Sequence, residues 1–270
     1  MTTTLDPAVL RPFVEAIEAE FDREPPTLGV IGLSGVGKSS TINSLFGTRR
    51  QVSSTTRGTS RFSHSIIDIT SARVAEAPVN CKLRIYDAPG LGEDVSLDDN
   101  YLDRYRQHLS KCDIALWILA ARNRALALDQ QYLQRLADAL PNLVIGINQA
   151  DLIDPLDWNE RINMPSRAQS AAMEVISRDR HDKLARYIAT DCPVVPYSAT
   201  RYYNLQRLFT TCLKAAPRPR RWMFELLKSF STDDWLRRAK GLTPAQRREL
   251  ARAHIRSDEK ISLDSLGRRS

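Results

Sequence analysis

Cysteine and histidine are scarce in this chain, with four of each in 270 residues. Cys81, Cys112, Cys192 and Cys212 lack paired metal-site spacing and the histidines form no ligand pair, which excludes a Cys/His metal centre encoded by a local motif. The cysteines read as reduced, mostly core residues of a cytosolic protein. Long apolar runs are missing too: the longest, residues 114–121, suits a buried strand and is far too short to span a bilayer. Met1 to Asp6 lead into Pro7 and a charged amphipathic stretch, with no basic-then-apolar leader. A cytoplasmic location is expected. Hydrophobic residues make up 42% of the chain, enough to bury a full core.

Against that plain background, residues 32–39 read Gly-Leu-Ser-Gly-Val-Gly-Lys-Ser, a complete G-x-x-x-x-G-K-[ST] phosphate loop directly after the apolar run Leu28-Gly29-Val30-Ile31. Closely spaced phosphate charges need a cradle of backbone N–H groups, and Gly32, Gly35 and Gly37 let the chain bend into one. Ser34, Gly35, Val36, Gly37, Lys38, Ser39 and Ser40 are therefore the expected phosphate-binding residues. Lys38 would reach the β- and γ-phosphates, and Ser39 would offer its hydroxyl to Mg²⁺ at the start of a helix through residues 40–46, stopped by Gly47.

A second element, Leu83-Arg84-Ile85-Tyr86-Asp87-Ala88-Pro89-Gly90, is a strand ending in Asp-x-x-Gly. Asp87 at its carboxyl edge can hold Mg²⁺ through a water, and Gly90 lets its N–H approach the γ-phosphate. A third strand empties into Asn148-Gln149-Ala150-Asp151, which resembles the Asn-Lys-x-Asp base motif of GTPases. There the carboxylate accepts from the ring N–H and the exocyclic amine of guanine, a donor pair adenine lacks, so a wrong base leaves Asp151 desolvated and unpaired. Further on, Pro196-Tyr197-Ser198-Ala199 resembles the last GTPase motif, where backbone N–H groups contact the guanine oxygen.

The order of these four motifs resembles the Era/TrmE-like branch of GTPases. Asn123-Arg124-Ala125-Leu126-Ala127-Leu128-Asp129, together with the base motif and residues 193–200, is more similar still to the YfjP-type group, labelled 50S-ribosome-binding GTPase-like, over about residues 27–236. The resemblance implies GTP and GDP as ligands with Mg²⁺, and Asn148, Gln149, Asp151, Ser198 and Ala199 around the base. Aligned by spacing from Lys38, Thr59 falls on the threonine that completes the Mg²⁺ shell, chosen over Thr56. Ser39, Thr59 and Asp87 then form the metal set, and Lys38, Thr59 and Gly90 are expected to act on the γ-phosphate.

The chain departs from the familiar pattern at three places. Gln149 replaces a lysine whose stem packs along the nucleotide. Leu91 follows Gly90 where Ras-like proteins place a water-positioning glutamine, so hydrolysis is expected to be slow or to borrow a polar group. Gly35 stands where potassium-stimulated relatives carry asparagine, and no potassium activation is expected. Mg·GTP is expected to order loops at residues 48–62 and 91–99, with Arg57 and Arg61 as candidate transition-state charges beside their plainer reading as surface arginines. A non-hydrolysing, GTP-dependent assembly module is the alternative.

Strands at residues 28–31, 62–69, 82–86, 114–120, 143–147 and 194–197 alternate with helical segments, which predicts a doubly wound, mainly parallel six-stranded α/β sheet with helical extensions at both ends. Residues 1–26 would hold an amphipathic helix over residues 7–21, residues 27–216 the nucleotide-binding domain and residues 217–270 a basic, mostly helical tail. That tail carries 14 Lys/Arg against 7 Asp/Glu, while the rest balances at 25 against 25. Pro217-Arg218-Pro219-Arg220-Arg221 reads as a linker, followed by an apolar stripe at Met223, Leu226, Leu227 and Phe230 and a further helical segment at residues 244–256. The stripe has three open readings: packing on its own domain or in a homodimer, lying on an anionic membrane, or contacting ribosomal RNA. The effector stays unknown.

Overall fold

The computed structural model describes residues 7–46, 62–75, 77–92, 95–123, 126–187 and 192–228. Gly47, residues 48–61 with Thr56, Arg57, Thr59 and Arg61, and the tail beyond Lys228, with Phe230, Trp235, Leu236 and residues 244–256, lie outside the described residues.

In chain order the elements are α1 (Pro7–Arg23), β1 (Thr27–Ile31), α2 (Lys38–Phe46), β2 (Ser63–Val74), β3 (Ala77–Asp87), α3 (Val95–Leu109), β4 (Ile114–Ala120), α4 (Ala127–Leu136), β5 (Asn142–Asn148), β6 (Trp158–Asn159), β7 (Met164–Pro165), α5 (Arg167–Leu184), β8 (Val194–Pro196), α6 (Leu205–Lys214) and α7 (Arg221–Leu227). Six strands form one sheet in the order β2-β3-β1-β4-β5-β8. All neighbours are parallel except β2 and β3. β1 and β4 are the inner strands: every residue of β1 is buried, as is all of β4 but its last. An unbroken apolar run such as Ile-Ala-Leu-Trp-Ile-Leu-Ala is what a strand covered on both faces requires. β3, by contrast, alternates buried and more exposed positions along most of its length.

For the six-stranded sheet the strand reading is right in number and order of appearance, and short at the β2–β3 hairpin. β2 continues past Ile69 to Val74 through a register shift between Ile69 and Ala72, and β3 begins at Ala77. The turn runs through Ala75 at φ 46°, a position with none of the Asn-Gly or Gly signals that mark tight hairpins. α3 begins at Val95, so the second loop, expected over residues 91–99, gives way to helix four residues after Leu91. The helix after the phosphate loop starts at Lys38, two residues earlier than expected, and α1 runs two residues past Phe21. The short β6–β7 ladder, with two residues in each strand, has no apolar alternation to announce it.

Both chain ends that are described pack on the sheet. α1 buries Ile17 and Phe21, its Glu18 Oε1 accepts the Asn80 N–H at 2.8 Å, and Asp22 pairs with Lys82 on β3. The stretch expected as a linker is instead a 3₁₀ turn, Arg218–Arg220, that enters α7. Arg220 Nη1 donates to both carboxylate oxygens of buried Asp113, at 3.1 and 3.0 Å, and Nη2 donates to the Glu24 carbonyl. Asp113 also accepts the Thr27 N–H at 2.7 Å, so one arginine ties the start of β1, the approach to β4 and the end of α1 together. Burial pushes the Asp113 carboxyl above its usual range, against the pull of the Thr27 N–H and Arg220. α7 then buries Met223, Phe224 and Leu227, and Trp222 meets Phe21 edge-on at 6.0 Å. Phe224 belongs to the buried face, which the expected stripe omitted, whereas Leu226 is only partly buried.

Candidate functional site

The phosphate loop leaves β1 at the sheet's carboxyl edge and bends because two of its glycines sit where no side chain fits. A Cβ on Gly32 (φ +148°) would lie 2.4 Å from the Ile118 carbonyl of β4, and one on Gly37 (φ +92°) would lie 2.3 Å from Asn148 Nδ2. Between them Ser34 and Gly35 are exposed, Val36 is buried, and Ser39 and Ser40 are half-buried in the first turn of α2. Lys38 is buried and its Nζ donates to the Gly32 and Leu33 carbonyls at 3.1 and 3.0 Å. The ammonium thus spans the loop that a phosphate chain would follow, at the positive end of a helix.

The Asp87 turn is stitched to this loop. Val30 and Asp87 are register partners, Ala88 N donates to Val30 O at 3.2 Å, Leu91 N to Gly32 O at 3.3 Å, and Ser34 N to Leu91 O at 3.0 Å. Asp87 is 2% exposed, and the Leu91 side chain is buried in the core, so no polar side chain occupies the position after Gly90. The hydroxyl of Tyr105 on α3 donates to the Pro89 carbonyl and its ring meets Phe62 at 4.8 Å. Among the described residues no cluster of three His, Cys, Asp or Glu could hold a metal. Ser39 and Asp87 nevertheless offer hard oxygen donors of the kind Mg²⁺ takes, to be completed by phosphate oxygens and water. Thr59 lies outside the described residues.

Asn148 is the hub of the base side. Its Nδ2 donates to the Val36 carbonyl at 2.9 Å and its Oδ1 accepts the Ala199 N–H at 3.0 Å, joining the phosphate loop to the Ser198-Ala199 turn. Ser44 of α2 donates to the Ala199 carbonyl at 2.8 Å, and Thr41 Oγ1 lies 2.7 Å from the fully buried Tyr197 hydroxyl, whose pKa burial drives far upward. Gln149 takes the left-handed conformation at φ 63°, which turns the chain into a short 3₁₀ helix carrying Asp151. The Asp151 side chain is 8% exposed, and its Oδ1 is buried with no hydrogen-bond partner. A carboxylate oxygen in that state is costly unless a donor arrives, which fits the two N–H donors of guanine.

Several supports of this site carry no motif. Gln169, fully buried at the start of α5, donates through Nε2 to the Asp151 and Ile153 carbonyls at 3.1 and 2.9 Å. Its own helix is capped by Ser166, whose Oγ accepts the Gln169 N–H at 3.0 Å. Arg201, two residues past Ala199, donates to both Glu160 oxygens and rests over Trp158 at 5.9 Å; Asn163 in turn donates to the Arg201 carbonyl at 2.7 Å. Only Arg201 had a sequence signal, its place beside Ser-Ala. The four expected clusters therefore meet at one edge of the sheet.

Residues 27–149 match the family described as 50S ribosome-binding GTPase. The Escherichia coli (strain K12) protein YfjP is 32% identical over 136 residues, 48% of this chain and 43% of that protein. The GTPase Der of Chlorobaculum tepidum is 31% identical over 147 residues, 53% and 32% respectively, and the tRNA modification GTPase MnmE of Natranaerobius thermophilus is 27% identical over 164 residues, 59% and 33%. Each match spans less than half the length of the relative. A solved chain from the chloroplast translocon components atToc33 and psToc159 superposes with a TM-score of 0.51 at 18% identity, over 88% of this chain and 93% of that one, and so shares the fold.

Proposed function

We propose that the chain is a GTP-dependent molecular switch of the P-loop GTPase kind, one that binds GTP and GDP with Mg²⁺ and hydrolyses GTP slowly, a reading supported by the match of residues 27–149 to the family described as 50S ribosome-binding GTPase. The observation that carries this reading is Asp151, a buried carboxylate with an oxygen awaiting a donor, tied through the Gln149 turn to Asn148 and through Asn148 to the phosphate loop. In this reading Asp151 accepts from guanine N1–H and the exocyclic amine, and the Ser198 and Ala199 turn meets the guanine oxygen. Residues 34–40 cradle the phosphates, with Lys38 leaving its loop carbonyls for the phosphate oxygens. Bound Mg²⁺ would neutralise charge on the β- and γ-phosphates, held by Ser39, Thr59 and Asp87. Gly90 presents its N–H to the γ-phosphate.

The buried Leu91 side chain supports slow turnover, since it cannot orient a water. The same observation favours a second reading, a non-hydrolysing assembly module in which nucleotide promotes pairing of two copies. Single-turnover hydrolysis at rising protein concentration separates them: a rate held at background throughout supports the module, and a measurable rate the switch. For the basic tail, residues 217–270, packing on its own domain is the reading that the α7 contacts support, and an anionic membrane or ribosomal RNA is the alternative partner.

Titration with a fluorescent GTP analogue in Mg²⁺, competed by GTP, GDP, ATP and XTP, tests the central reading. GTP and GDP should compete and ATP should not. Asp151→Asn should move the preference toward XTP, whose ring carbonyl can accept from the new amide. Equal competition by ATP would overturn it.

A further inference from the structure

Arg201 stands between two carboxylates of unequal exposure. Its Nη1 and Nη2 donate to Glu160 Oε2 and Oε1 at 2.5 and 2.6 Å, while its Nε faces Asp151 Oδ2 at 3.8 Å, within ion-pair range but beyond a hydrogen bond. Glu160 is 66% exposed and Asp151 8% exposed. Charge alone would favour the buried partner, where water screens less; two parallel hydrogen bonds favour the exposed one. The guanidinium also lies over the Trp158 ring, 5.9 Å from its centroid, a face along which it can shift between the two carboxylates. Closing the gap from 3.8 Å to a hydrogen bond takes about 1 Å. The backbone of Arg201 meanwhile is fixed, with its N–H on Ser198 Oγ at 3.1 Å and its carbonyl on Asn163.

We propose that Arg201 is an ion-pair switch on the base site: held by Glu160 it leaves Asp151 to the guanine donors, and released from Glu160 it closes on Asp151 and competes with the base. This rests on the guanine reading of Asp151. It makes Arg201 a positioning residue that acts through Asp151, and it makes the exposed Glu160 a handle for nucleotide release. Any cationic group that captures Glu160 would speed exchange without touching the nucleotide.

The test uses the full chain and a fluorescent GDP analogue, reading its dissociation rate for the wild type, Glu160→Gln, Arg201→Gln and the double variant. Glu160→Gln should speed dissociation about tenfold or more, the loss expected when one strong acceptor contact is diverted. Arg201→Gln should dissociate no faster than wild type, and the double variant should return to within about twofold of Arg201→Gln. The inosine analogue, which lacks the exocyclic amine, should suffer less from Glu160→Gln than the guanine analogue. A merely structural role for the pair would speed the dissociation of all nucleotides alike in both single variants. Wild-type dissociation in Glu160→Gln, or a double variant as fast as Glu160→Gln, overturns the switch while leaving the guanine reading intact. Failure of the wild type to bind any guanine nucleotide overturns both.

Discussion

Replacing Gly37 by alanine should separate the two loops that Asn148 joins. The new Cβ would lie 2.3 Å from Asn148 Nδ2, and Asn148 is 3% exposed with its amide held at both ends, by Val36 O and Ala199 N. The side chain can clear the methyl only by giving up those bonds, each worth about 0.5–1.5 kcal/mol net and more where a buried group is stranded. The φ of +92° adds about 1–2 kcal/mol of backbone strain for any L-residue. Gly35 is the internal control: its φ is +77°, yet a Cβ there meets nothing within 4 Å, so Gly35→Ala carries strain alone. The difference between the two variants isolates the clash at about 2–3 kcal/mol, close to a hundredfold in affinity where it falls on binding. Urea denaturation without nucleotide and fluorescent-GDP titration with it would together recover the whole cost. In an Asn148→Ala background the clash disappears and Gly37→Ala should cost no more than Gly35→Ala. Strict additivity of Gly37→Ala and Asn148→Ala would refute the argument that the two loops are coupled through this one amide.

Two further outcomes concern charge inside the fold. Asp129 on α4 is 1% exposed and accepts the Trp117 indole N–H at 3.0 Å, and burial, opposed by that bond and by Arg180, pushes its carboxyl up to about 6. A folded value above the unfolded one stabilises the protonated fold, so this contribution is complete below pH 4 and disappears as pH rises through 6, a change of about 3 kcal/mol. Asp129→Asn keeps an acceptor for Trp117 and has no proton to lose; its advantage over wild type in denaturant midpoint should be nil near pH 4 and grow toward pH 7. Arg220→Ala strands the buried Asp113 carboxylate and should cost about 3–5 kcal/mol in urea denaturation at pH 7. Adding Asp113→Asn, which can still accept the Thr27 N–H, should restore part of that loss.

What could be read from the sequence was whatever local chemistry dictates. A phosphate loop needs its glycines and lysine in sequence, so residues 32–39 declared themselves, and an unbroken apolar run such as residues 114–120 could only be a covered strand. Three other facts depend on where distant segments meet. The β6–β7 ladder is too short to show a period, yet it supplies Trp158, and the turn between its strands supplies Glu160 and Asn163, around Arg201. Gln169 reads as an ordinary polar residue in a helix, and only the turn of the chain after Asp151 brings two carbonyls to its amide. Pro217 to Arg221 has the composition of a linker, and it is packed because Arg220 reaches a carboxylate 107 residues away.

These unreadable contacts share a purpose. Each motif on its own is a loop with backbone polar groups turned toward a ligand, and such loops do not hold their shape by themselves. Asn148 crosses from the base motif to the phosphate loop, Thr41 and Ser44 cross from α2 to Tyr197 and Ala199, and Gln169 braces the turn beneath Asp151. Because every crossing is a hydrogen bond between buried or half-buried groups, displacing one loop leaves partners stranded in another, at a cost that does not divide among single residues. A site assembled in this way should respond to substitutions at phosphate-loop and base-loop positions as one unit, with Gly37 and Asn148 as its seam.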